Sequence, residues 1–313
     1  MSTNNIYNKL SVYSGEPFLI DKVEPQKNVY HYTGVQGLKG ILETRKVFAT
    51  ESEFLNDSSE IKYIRDVIRE VIEENSEEYK TEFIEGVKRF NTEKYRLLEK
   101  VNFFILSLSE DKDSLILWSN YSKSDGYNIG INPDDLISIL QSEIDPIQRS
   151  EGFPDNEYLK IHHGKVIYNR NIQKDIIRKE LRALYKIWDE SGKLAGEIDL
   201  CLGYFVFRMT TYSAFFKDAG FQDEGEYRVA VSTRQYFKSS KSGGFREING
   251  CLVPYFKIPL SSSTVENVNP IKTITIGPNK RNLDIALLGL KVFKNDVGYH
   301  EVTIEQSTIP QRY

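Results

Sequence analysis

Four histidines and two cysteines in 313 residues leave little material for a metal centre or a disulfide framework. None of His31, His162, His163 and His300 forms an HxxxH or HExxH spacing, and adjacent His162 and His163 point to opposite sides of a strand. Cys201 and Cys251 cannot build a multi-cysteine zinc site. Each has apolar neighbours, among which a buried thiol behaves as a small hydrophobe. Neither a metal nor a disulfide is expected. No apolar run of roughly 18 residues occurs, and the opening MSTNNIYNKL has neither an apolar h-region nor a small-residue cleavage site. The expectation is a cytoplasmic protein with no membrane partner. The phosphate loop GxxxxGKS/T, the dinucleotide turn GxGxxG and the nucleophile elbow GxSxG are all missing, which removes the usual marks of nucleotide hydrolysis, Rossmann binding and α/β-hydrolase chemistry. A net charge of −4 and a pI near 5.8 argue against a surface that grips nucleic acid all over, while leaving room for a local basic patch.

Aromatics are plentiful: 19 Tyr, 17 Phe and 2 Trp, enough to spare some for a pocket in a chain this long. Residues 1–27 are polar with weak periodicity and form an N-terminal arm whose order depends on docking. A β-rich run, Val29 to Thr33, then enters Gly34 and a helix face carrying Val35, Leu38, Ile41 and Leu42. Further strands are expected at 46–50, 101–109, 127–131, 164–168, 226–231, 252–256, 271–276 and 301–304, with a helix at 282–290. Asn56 to Ser59 supply cap-type residues before two helices that reach about Lys100, and Ser114 is placed to cap the next short helix. Residues 134–217 are mainly helical, interrupted by a loop containing Gly152 and Pro154. Strands at both ends imply an α+β fold: residues 28–313 make one domain with helical insertions at about 60–100 and 134–217, because the end strands must pair.

Four clusters offer chemistry. His31, Tyr32 and Thr33 place an imidazole and a hydroxyl on one strand face, which suits a ribose or an amide as well as it suits a half-buried histidine satisfied by a backbone carbonyl. Trp118 and Tyr121, at i and i+3 with Tyr127 beyond, form either an aromatic shelf for a planar ring or ordinary core packing. Glu224 and Glu226, two apart in an acidic Gly-containing segment, would share a strand face, where mutual repulsion raises one pKa; the alternative pairs Glu226 with Arg228. Arg234, Lys238, Lys241 and Arg246 have no acid between them until the last, and fit a diphosphate, an RNA backbone or a solvated loop.

The segments HYTGVQGLKGILETRKVFAT, FLNDSSE, SLSEDKDSLILWSNYS, GYNIGI, FKDAGFQDEGEYR, ITIGP and STIPQRY, in that order, resemble a bacterial domain-of-unknown-function family, number 2971. The first segment is also similar to the opening block of ADP-ribosyltransferase toxins of the His-Tyr-Glu type. That resemblance implies a split β-sheet core and NAD as a substrate, with no metal. It also implies an unknown macromolecular acceptor, protein or nucleic acid, and a role as a toxin or phage-defence effector with a neutralising partner. By motif it assigns catalysis to His31, Tyr121, Glu226 and Glu224, and NAD contacts to His31, Tyr32, Thr33, Trp118, Tyr121 and Tyr127. Ser107 and Ser109 are similar to the Ser-Thr-Ser strand of the Arg-type class. The alternative function is a non-catalytic nucleotide or nucleic-acid binding module.

Overall fold

A largely apolar run, Phe103 to Leu106, builds a strand buried on both faces, while the three- and four-residue spacing of Leu38, Ile41 and Leu42 builds a helix. The computed structural model describes residues 3–55, 60–91, 101–122, 126–151, 159–191, 196–233, 241–265, 267–278 and 282–310. The expected cap at 56–59, the Gly152 and Pro154 loop, Arg234, Lys238 and the last three residues of STIPQRY lie outside them. In chain order the elements are α1 (Thr3–Gly15), β1 (Val29–Thr33), α2 (Val35–Thr44), β2 (Lys46–Glu51), α3 (Glu60–Asn75), α4 (Thr81–Phe90), β3 (Asn102–Ser109), α5 (Leu115–Ser122), β4 (Tyr127–Ile131) and α6 (Pro133–Glu151). Then follow β5 (Lys160–Lys165), α7 (Arg170–Asp189), α8 (Glu197–Ser213), β6 (Glu226–Thr233), β7 (Gly243–Ile248), β8 (Cys251–Pro259), β9 (Ile271–Ile276), α9 (Leu283–Asp296) and β10 (Thr303–Gln306).

These elements sort into two units. Segments 1–21, 55–101 and 166–221 make a helical unit; segments 22–54, 102–165 and 222–313 make a unit that holds every strand named above. The expected insertion at 60–100 lies within the helical unit. Of the one expected at 134–217, residues 166–217 do, whereas α6 and β5 belong with the sheet.

Residues 3–15, expected as part of a polar arm, are helical because Ile6, Leu10 and Tyr13 recur at i, i+4 and i+7 and are buried against α7 and α8. A buried ion pair anchors this packing. Arg208 Nε and Nη2 each donate to Glu180 at 2.7 Å, Tyr13 donates its hydroxyl to the same carboxylate at 2.7 Å, and Arg208 Nη1 reaches the Glu16 carbonyl at 2.8 Å. Cys201 is buried in α8, which pushes its thiol up to about 12, but Cys251 is exposed at the β7–β8 turn, contrary to the expectation of two buried thiols.

The sheet runs β10-β9-β4-β1-β3-β2-β8-β7, with β6 paired to β3 and β5 to β6. Among the strand pairs of the described residues, β9 and β10 alone are parallel. Its decisive feature is a fork on β3. One edge of that strand pairs with β6 along its length, from Asn102↔Thr233 to Ser109↔Glu226. The other edge is shared: β1 meets it at Tyr30↔Ser109, and β2 at Thr50↔Ile105 and Glu51↔Phe104. The branches diverge between those contacts. One face packs Val29, Leu106, Leu108, Ile129, Val229 and Ile274 into the main core beneath α2, α6 and α9. Strand β5 begins four residues earlier than expected, and β7 replaces part of the expected flexible basic loop, because Gly243 to Ile248 pairs with β8 as a hairpin.

Candidate functional site

Register settles which candidate residues share a face. In β1, Tyr30 and Tyr32 point away from the main core, as do Ser107 and Ser109 of β3 and Glu226 and Arg228 of β6. His31 and Thr33 have the opposite parity. The His31 imidazole sits in the fork, where burial lowers its pKa to about 4 despite a hydrogen bond to the Ser107 backbone; the charge of Arg246 lowers it further. His31 is therefore neutral at pH 7.

Tyr32 is a packing residue. Its hydroxyl donates to the Asp111 carbonyl at 2.8 Å and accepts from the Ser114 amide at 3.1 Å, and its ring meets Trp118 edge-on at 4.8 Å. Trp118 is fully buried and donates its indole N–H to Asp113 at 2.8 Å. Tyr127 lies in the main core. The shelf expected from Trp118, Tyr121 and Tyr127 is thus not formed as one surface: helix α5 turns Trp118 inward onto Tyr32 and leaves Tyr121 outward, 45% exposed. Thr33 ends β1 opposite Tyr127.

Tyr121 joins the acidic residues. Its hydroxyl donates to Glu224 Oε1 at 3.3 Å, and burial, followed by the charges of Glu224 and Glu226, raises its pKa. Glu224 is the last residue of a 3-10 turn, Ala219–Glu224, and Gly225 follows with φ 49°, a left-handed conformation that costs glycine little. That turn separates the two carboxylates, so they do not share a strand face as the two-residue spacing suggested. Ser109 holds the turn: its hydroxyl donates to the Glu224 carbonyl at 2.8 Å, while the Glu110 amide donates to the Gly225 carbonyl at 2.8 Å.

Glu226 opens β6 and is only 7% exposed. Arg228, its neighbour on the same face, donates Nε at 2.6 Å and Nη2 at 3.2 Å to the two carboxylate oxygens. This fork-to-carboxylate geometry orients the group and favours its ionised form. Ser107 and Ser109 lie opposite Arg228 and Glu226 across the strand pair. The structure thus brings Tyr121, Glu224 and Glu226 together and leaves Tyr32, Trp118 and Tyr127 in packing roles.

Asp113 escaped the sequence reading. Besides Trp118 it accepts from the Ser307 hydroxyl at 2.6 Å and from the Thr308 amide and hydroxyl at 2.7 and 2.9 Å, tying the C-terminal segment to α5. Its one local signal is a carboxylate next to the capping Ser114, whose hydroxyl accepts from the Leu117 amide at 3.4 Å.

Among the described residues no three His, Cys, Asp or Glu side chains gather closely enough to hold a metal ion, and no helix is long and apolar enough to cross a membrane. Neither a curated protein nor a solved structure matches the chain. Residues 117–229, from within α5 into β6 and so including Tyr121, Glu224 and Glu226 but not His31, match the profile of the family described as protein of unknown function DUF2971, to which this stretch is similar.

Proposed function

We propose that the chain is an ADP-ribosyltransferase-like enzyme that uses NAD as substrate and transfers ADP-ribose to a macromolecular acceptor, protein or nucleic acid. The observation that supports this reading is the convergence of the Tyr121 hydroxyl, the Glu224 carboxylate and the oriented Glu226 carboxylate beside the sheet fork. In such a reaction the nicotinamide–ribose C–N bond breaks with its electron pair leaving on nicotinamide, and positive charge develops on the ribose ring. Glu226, bonded to the 2′-hydroxyl, would stabilise that charge as carboxylates do in glycosidases. The acceptor then forms a bond to the same carbon and gives up its proton, for which Glu224 is the base. Tyr121 is the exposed ring able to lie against nicotinamide.

Incubation with labelled NAD and cell lysate tests this. Wild type should label an acceptor or release nicotinamide, and Glu226→Gln should lower the rate by about 10²–10³. Equal rates, or no cleavage by wild type, would overturn it. The bidentate Glu226–Arg228 pair favours a second reading, a non-catalytic nucleotide-binding module, since it already neutralises the key carboxylate. Binding of NAD without turnover would select that module.

A further inference from the structure

The branch of the sheet beyond the fork carries an arginine that has no counter-charge among the described residues. Arg246 lies on β7, and its guanidinium reaches across the sheet: Nη2 donates to the Thr50 hydroxyl at 2.6 Å, and the group stands 6.0 Å from the centre of the Phe48 ring. Phe48 and Tyr255 stack beside it, 4.2 Å apart and 14° from parallel. Its Nε–H is buried and has no hydrogen-bond partner among the described residues, and no carboxylate there forms an ion pair with it. Partial burial lowers the pKa of this guanidinium. A buried donor left unmade costs free energy, so a fold keeps a half-buried arginine with such a donor where something outside the chain completes it.

Two observations indicate what completes it. The open donors belong to a planar fork that matches phosphate oxygens bidentately. Beside the guanidinium lies a half-exposed stacked aromatic pair, a surface for a planar ring.

We propose that Arg246 is the anion anchor of a nucleotide site on the β2–β8–β7 branch, binding the diphosphate of the ligand while Thr50 holds the guanidinium in place. The proposal deepens the NAD reading and rests on it for the choice of a dinucleotide. The site itself requires only a nucleoside diphosphate.

Calorimetric titration of the full chain with ADP and with adenosine tests it. ADP should bind about 10- to 100-fold more tightly than adenosine, the range of charge-assisted hydrogen bonds. Arg246→Leu should abolish that preference, and Arg246→Lys should restore part of it. Equal binding of ADP and adenosine by wild type, or a preference retained in the leucine variant, overturns the site. Thermal unfolding supplies an independent reading: the leucine variant should melt at or above wild type, because an uncompensated charge has been removed, whereas a marked drop would make Arg246 structural and refute the proposal. An ADP preference that needs Arg246 in a protein that never cleaves NAD would sink the enzyme reading and keep the site. Cleavage with an unchanged KM in Arg246→Leu would keep the enzyme and sink the site.

Discussion

Replacing Glu180 by Gln tests how the helical unit holds its N-terminal helix. The carboxylate is 6% exposed and its partner Arg208 only 2%, so solvent screening is slight. Glu180 accepts two guanidinium N–H groups at 2.7 Å, the Tyr13 hydroxyl at 2.7 Å and the Tyr212 hydroxyl at 3.2 Å. The amide keeps the shape but offers one acceptor oxygen and leaves the buried Arg208 charge uncompensated. Removing one member of a buried pair typically costs about 3–5 kcal/mol, and that loss should appear in urea unfolding. Because Arg208 also binds the Tyr13 and Glu16 carbonyls and its guanidinium lies 4.4 Å from the Phe18 ring centre, hydrogen exchange in α1 should accelerate with it. Glu180→Leu combined with Arg208→Met should recover most of the loss, since both charges leave together. A single variant that loses less than about 1 kcal/mol, or a double variant as unstable as the single, would refute the assignment of the pair as the anchor.

Burial lowers His31, His162 and His163 to about 4 from an ordinary 6.5, so the unfolded chain binds more protons between those values. Their contribution to stability is complete above pH 6.5 and declines as the pH falls towards 4; a urea midpoint unchanged between pH 7 and pH 5 would contradict their burial. Asp113→Ala strands the buried Trp118 indole N–H and releases Thr308, and should cost about 1–3 kcal/mol while exposing the C-terminal segment to proteolysis. Gly126→Ala would drive a Cβ into the Thr33 carbonyl and into Ser122; a loss of about 1–3 kcal/mol in chemical denaturation checks that packing.

Strand positions were legible in the sequence wherever the pattern was strong. Val29–Thr33, Tyr127–Ile131 and Ile271–Ile276 match their expected bounds, and Val101–Ser109 differs by one residue, because apolar alternation and β-branched content depend on local residues alone. Two elements escaped for one reason: α1 and β7 are polar in composition, and each is stabilised by a partner far away in sequence or by a hairpin, α1 by α7 and α8 and β7 by β8. Helix α5 shows the limit of spacing arguments. Trp118 and Tyr121 are three apart, yet the ring facing Tyr32 is sealed and the other meets Glu224.

The residue types at the candidate site, an aromatic hydroxyl, two glutamates and an arginine within a short segment, were determined by the sequence alone, as was the α+β class. Tertiary structure decided their pairing. A turn at Gly225 parts Glu224 from Glu226, Arg228 takes the second carboxylate, and the β2–β8–β7 pairing gives Arg246 a hydroxyl, two rings and no ion-pair partner among the described residues. Those outcomes depend on strand register and on which charges share a face. Register is set by the whole sheet packing on its core, a quantity that no local stretch of sequence contains.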